Sequence, residues 1–203
     1  MKSKIKSVAK SNLQSLALNI NEKLSKRIST KKNWNNLNVD RTVKLQLDSL
    51  NDLIPKLNIP HTIDEAKNDA EFGCKVLFAG SAKGKKLAAK LIGKQNSLDV
   101  YRINLSGLVS NYTNETEKNI EKLFEVAEEK NWILFFDEAD ALFGKRTSVK
   151  DAHDRYANQN MSHLIQQINK YPGLIIFSTK NNDDSNGEYP IHLDSVIHFK
   201  KPS

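Results

Sequence analysis

Residues Ile133-Leu-Phe-Phe-Asp-Glu138 set four apolar side chains directly before two carboxylates. A short run that is apolar at every position has no solvent face, and in a β-strand this marks an interior strand covered by helices on both sides. Asp137 and Glu138 then fall at the strand's C-terminal end, where open α/β sheets gather their ligands. No other segment narrows the fold as much.

The rest of the chain after Gly73 repeats the theme. Lys75-Val-Leu-Phe-Ala79, Asp99-Val-Tyr-Arg-Ile-Asn104, Trp132 to Phe136, Leu174 to Phe177 and Val196 to Phe199 read as five short strands. Helical segments alternate with them, at Leu87-Ala-Ala-Lys-Leu-Ile92 and from about Glu115 to Lys130, where Ile120, Leu123, Phe124 and Ala127 share one face. Strands alternating with helices predict an α/β fold with a five-stranded parallel sheet sandwiched by helices, and residues 73–203 are expected to form this core. Upstream, Ile5, Val8, Leu13, Leu16, Ile20, Leu24 and Ile28 make an apolar helical stripe over about residues 3–29. The asparagine-rich stretch 29–38 reads as a linker, so residues 1–40 are expected to be a basic amphipathic helix and its linker. Val43, Leu47, Leu50, Ile54 and Leu57 predict a further helix within a helical lead-in, residues 41–72.

Composition bounds the function classes. The single cysteine, Cys74, excludes an internal disulfide framework and a cysteine metal cluster, and its apolar neighbours predict a buried structural thiol. No apolar run reaches the length of a membrane span, and no apolar core follows the basic N-terminus as in a secretion signal; a cytoplasmic location is expected. The net charge is +7. Nine Lys/Arg in the first forty residues face only Glu22 and Asp40. Such a face suits a protein partner. Arginine and aromatic residues, on which nucleic-acid readout leans, are scarce there, which argues against a nucleic acid.

The turn after the first core strand reads Gly80-Ser-Ala-Lys-Gly84-Lys85-Lys86-Leu87. A phosphate-binding loop has the form G-x-x-x-x-G-K-[ST]: backbone amides cradle phosphates, the lysine reaches the terminal phosphates, and the hydroxyl ligates Mg²⁺. The turn is one residue short of that form. Anchored on Gly84, Lys85 takes the lysine position and Lys86 replaces the hydroxyl. Anchored on Gly80, Lys86 takes the lysine position and Leu87 replaces the hydroxyl. A lysine survives in both registers, and the hydroxyl in neither.

From about Val76 to Phe199 the chain resembles the core of a AAA+ family ATPase. The resemblance rests on Ile133 to Arg146, Asp151-Ala-His-Asp-Arg-Tyr-Ala-Asn158, Leu105-Ser-Gly-Leu-Val-Ser110, Glu115-Thr-Glu-Lys-Asn119 and Leu87-Ala-Ala89. It is nearest a bacterial branch of which some members accompany contractile injection systems. The resemblance implies a ring-forming P-loop domain that couples hydrolysis of Mg-ATP to protein remodelling, with other AAA+ subunits or copies of itself as ring partners. It implies that Asp137 holds the metal, that Glu138 is the catalytic carboxylate, and that Gly80, Gly84, Lys85 and Lys86 form the nucleotide turn. Tyr112, in Asn111-Tyr-Thr-Asn-Glu115, falls at the substrate-gripping pore loop, whose lysine and glycine are replaced by Asn111 and Asn114.

Other positions depart from the family pattern. The phosphate-sensing asparagine's place is taken by Lys180, with Asn181 beside it. The paired arginines before the last strand fall near Ile191 and His192, and no helical lid is expected after that strand. An arginine finger is worth roughly 10³–10⁵ in rate. Three readings follow: a pseudo-ATPase acting as a structural or regulatory ring subunit, for which ATP and Mg²⁺ binding is doubtful; an ATPase with weak or partner-completed hydrolysis; and a binding module that recruits a partner through its basic N-terminal helix.

Overall fold

The structure, a computed structural model, describes residues 25–57, 73–105, 114–143, 152–180 and 189–200. Six strands form one sheet: β1 (Ser25–Ile28), β2 (Cys74–Ala79), β3 (Val100–Asn104), β4 (Ile133–Asp137), β5 (Leu174–Ser178) and β6 (Ser195–His198). Their order across the sheet is β1-β3-β4-β5-β2-β6. The five strands expected from the sequence are all present, and every pairing among them is parallel. The sixth is a correction. Ser25–Ile28, expected as the tail of a helix, pairs antiparallel with β3, Arg27 opposite Tyr101. Residues 1–24, which carry most of the predicted stripe, lie outside the described residues.

Five helices accompany the sheet: α1 (Arg41–Leu57), α2 (Lys85–Gln95), α3 (Asn114–Lys130), the single turn α4 (Asp140–Phe143) and α5 (Ala152–Lys170). Because side chains alternate along a strand, each interior strand feeds two cores. Val76, Phe78, Ile133, Phe135 and Ile176 meet Val43, Leu47, Leu50 and Ile54 of α1 and Ala88, Leu91 and Ile92 of α2 on one face. Leu77, Leu134, Phe136, Ile175 and Phe177 meet Ile120, Leu123 and Phe124 of α3 and Leu164 and Ile168 of α5 on the other. Burying each large apolar side chain contributes roughly 1.5–3 kcal/mol before chain entropy is subtracted. These two layers hold the sheet rigid beneath whatever its C-terminal edge carries.

The linker expectation for residues 29–38 is also corrected. A 3₁₀ turn spans Trp34–Asn36, and its asparagines serve as caps. The Asn33 side chain accepts from the Asn35 amide, while the Asn36 side chain accepts from the Asn33 amide at 2.9 Å. Trp34 Nε1 donates to Gln95 Oε1 at 2.7 Å, tying the turn to the end of α2. Leu37 is buried in the α1–α2 core. Asp40 then caps α1, its carboxylate accepting from the Val43 amide at 2.9 Å.

Cys74 is a buried free thiol, as expected from its neighbours. Burial first, and the charge of Asp194 second, push its pKa up to about 11. A thiol so rarely ionised is a poor nucleophile.

Candidate functional site

The chain leaves β2, crosses past β5 and β4 to build β3, returns through β4 and β5, and finally adds β6 on the other flank of β2. The turn after β2 therefore sits where the winding reverses, the usual ligand crevice of an open α/β sheet. Three backbone bonds lace this edge. The Thr179 amide donates to Phe78 O at 3.1 Å, the Phe199 amide to Ala79 O at 2.8 Å and the Ala139 amide to Ser178 O at 2.8 Å.

Gly80 and Gly84 bracket the turn with φ of +103° and +118°. Side chains rarely tolerate that region, so the turn's path depends on both glycines. A Cβ at Gly84 would also stand 3.2 Å from Leu37 Cδ1, so the upstream segment packs directly under the turn. Gly84 caps α2 without a side-chain bond to the helix's first amides. The helix begins at Lys85. The structural register is thus the one anchored on Gly84: a left-handed glycine, then helix.

Lys85 folds back into the turn, only 9% exposed. Its ammonium donates to the carbonyl of Gly80 and, at 2.5 Å, to that of Thr179 beyond β5. Burial lowers its pKa; Asp140 and Asp137 pull in the opposite direction, and Lys180 adds to the lowering.

Lys86, one position further along α2, leans over the sheet toward β4. Its Nζ lies 2.8 Å from Asp137 Oδ2. Arg102 Nε, from β3, lies 2.7 Å from the same oxygen. Register explains the second contact. Asn104 pairs directly with Asp137, so Arg102, two residues earlier, projects from the same sheet face one diagonal away. Asp137 is 16% exposed, Arg102 35% and Lys86 45%. Burial raises the Asp137 pKa, but the hydrogen bonds and charges of Lys86 and Arg102 outweigh it and hold the carboxyl below its ordinary value.

Glu138 departs from β4 with φ of +56°, in the left-handed region that a non-glycine residue enters at a cost. Its carboxylate is half exposed and 3.4 Å from the still more exposed Lys180 ammonium, a contact of little energetic weight. Of the remaining expected positions, Ile191 is 2% exposed within the α3–α5 core, while its neighbour His192 is exposed. Tyr112 and Asn181 lie outside the described residues. Among the described residues no group of His, Cys, Asp or Glu could hold a metal, and no helix is long and apolar enough to cross a membrane. The sequence reading missed Arg102 and the Thr179 carbonyl. A polar pair at alternate positions, Arg102 and Asn104, in an otherwise apolar strand was the available signal for the first. A backbone carbonyl leaves no signal in sequence.

Residues 76–200, more than half of the chain, match the family described as "ATPase family associated with various cellular activities (AAA)". The chain belongs to the AAA family. An uncharacterized AAA family ATPase of Sinorhizobium fredii is 33% identical over 130 residues, covering 63% of this chain and 39% of that protein. Proteasome-activating nucleotidase 1 of Haloferax volcanii is 29% identical over 154 residues, covering 72% of this chain and 38% of the relative. The vesicle-fusing ATPase of Caenorhabditis elegans is 33% identical over 124 residues, covering 53% of this chain and 15% of the relative. The AAA chain described here therefore spans under two fifths of the length of each. Its sheet order and reversal point put the glycine turn, Asp137 and Glu138 along one edge, where an AAA-family nucleotide site is expected.

Proposed function

We propose that this AAA-family domain is a pseudo-ATPase, a structural or regulatory subunit of a ring of the kind that accompanies injection-system assemblies. One observation carries the reading: Lys86 Nζ rests 2.8 Å from Asp137 Oδ2. In the Gly84 register Lys86 holds the place where a working loop has a metal-ligating hydroxyl. An ammonium there does two things at once. It removes an oxygen ligand, and it sets a positive charge on the carboxylate that should receive the cation. Arg102 claims the same oxygen. As arranged, this donor set does not fit a divalent cation, because the ion would have to displace both neighbours and then sit beside them. Lys85, drawn into the turn by two carbonyls, stabilises the short loop from within.

A second reading has its own support. Glu138 stands exposed at the strand end and Lys85 heads the helix, so the domain retains a carboxylate and a phosphate-seeking ammonium. On this reading it is an ATP-binding AAA+ ATPase whose weak hydrolysis is completed by groups from a neighbouring subunit, driving protein remodelling.

Phosphate release at saturating Mg-ATP separates the two. The pseudo-ATPase reading expects wild type and Glu138→Gln to release phosphate at the same background rate. A wild-type rate about 100-fold or more above that of the variant, the scale of a lost general base, overturns it.

A further inference from the structure

We propose that Lys86 is a built-in counter-ion, so that the turn takes a nucleoside polyphosphate as its metal-free anion and magnesium weakens the complex. The inference rests on the pseudo-ATPase reading only in placing Lys86 at the metal's position; it adds what the site binds.

Asp137 is claimed twice. Two cations share one carboxylate oxygen, Lys86 at 2.8 Å and Arg102 at 2.7 Å. They are not equivalent. Arg102 springs from the middle of a strand whose register fixes it beside Asp137. Lys86 lies on the first turn of α2 with its side chain 45% exposed. Its four-carbon stem lets the ammonium swing while Arg102 keeps Asp137 neutralised, so no buried carboxylate is left without a partner. The freed ammonium remains on the first turn of α2, beside amides to which the N-cap Gly84 offers no side-chain bond and which a phosphate could therefore meet.

Charge sets the preference. Lys85, Lys86, Arg102 and Lys180 outnumber Asp137, Glu138 and Asp140 around the turn, and Lys83 is exposed on the turn itself. A bare polyphosphate brings its full negative charge to this excess. A magnesium-bound one brings less, and carries a divalent cation toward the positive charges of Lys86 and Arg102. In an ordinary loop the hydroxyl draws the metal in. Here the ammonium does the metal's electrostatic work.

Titration calorimetry of the full chain with ATP in EDTA, with ATP in excess magnesium, and with pyrophosphate in EDTA tests this. Metal-free ATP should bind about tenfold or more tighter than Mg-ATP, the scale of one charge-assisted bond. Pyrophosphate should compete with metal-free ATP. Lys86→Thr, at a half-exposed position, should reverse the order, and Lys86→Gln should abolish the preference without creating one for magnesium. Equal or tighter binding of Mg-ATP by wild type overturns the proposal, as does failure to bind either form. The second failure leaves the pseudo-ATPase reading standing, because that reading falls only on the phosphate-release measurement.

Discussion

Asp137 is where single residues decide the behaviour of this domain. Its folded carboxyl sits below the ordinary value of 3.8, because Lys86 and Arg102 favour the charged form by more than burial disfavours it. A carboxyl depressed in the folded state adds stability that is whole above the ordinary value and drains away as pH falls through the folded one. Asp137→Asn should therefore cost about 1 kcal/mol at pH 7, because Lys86 and Arg102 are 45% and 35% exposed and solvent screens both contacts. Urea midpoints should converge with wild type as pH falls past 3.8 and on through the lower folded value, where the native carboxyl also loses its charge. A difference that persists unchanged into acid would show that the two cations do not stabilise the folded state. At this scale the sequence was partly legible. The missing hydroxyl at Lys86 is visible in eight letters of text. Its destination is not, because Arg102 and Lys86 reach Asp137 only through a parallel pairing and a helix crossing that no local pattern encodes.

Among elements, legibility followed how much each one owes to its own residues. The interior strands β2, β4 and β5 announce themselves because continuous apolar runs suit a position buried on both faces. Strand β1 does not. Four residues with Lys26 and Arg27 at their centre carry no strand signal, and the spacing from Leu24 to Ile28 fits a helix. Tertiary context overrides that local preference: the free edge of β3 supplies the partner. The 29–38 segment misled for a related reason. Its asparagines looked like linker composition, whereas they cap a turn that delivers Leu37 beneath Gly84. Leu37→Ala should accordingly cost about 2–4 kcal/mol, the usual loss for a buried leucine, read from thermal or urea unfolding. Solvent-like tolerance at this position would return the segment to the status of a linker. Removing residues 1–40 would strip β1 and Leu37 from the core.

At the scale of the whole molecule, the ring proposal can be checked through linkage. Members of this family often assemble as rings, and a ligand shifts assembly only as far as it binds the assembled and free forms differently. On the pseudo-ATPase reading, in which Lys86 keeps to Asp137, Mg-ATP has little purchase on the domain. Sedimentation profiles of the protein with and without Mg-ATP should therefore superimpose, whatever the size of the sedimenting species. A shift to a larger species on adding Mg-ATP would favour the hydrolytic reading.

Strand β1 has one more consequence, and it concerns synthesis. Arg27 and Asp99, joined at 2.6 Å across β1 and the start of β3, are 72 residues apart in the chain. At about 5–20 residues per second, β1 leaves the ribosome roughly 4–14 s before its partner exists. An unpaired strand edge in that interval is a template for pairing with other nascent chains. Lys26 and Arg27, both exposed on the finished sheet, set two positive charges in a strand of four. During those seconds they repel the copies that would otherwise pair there.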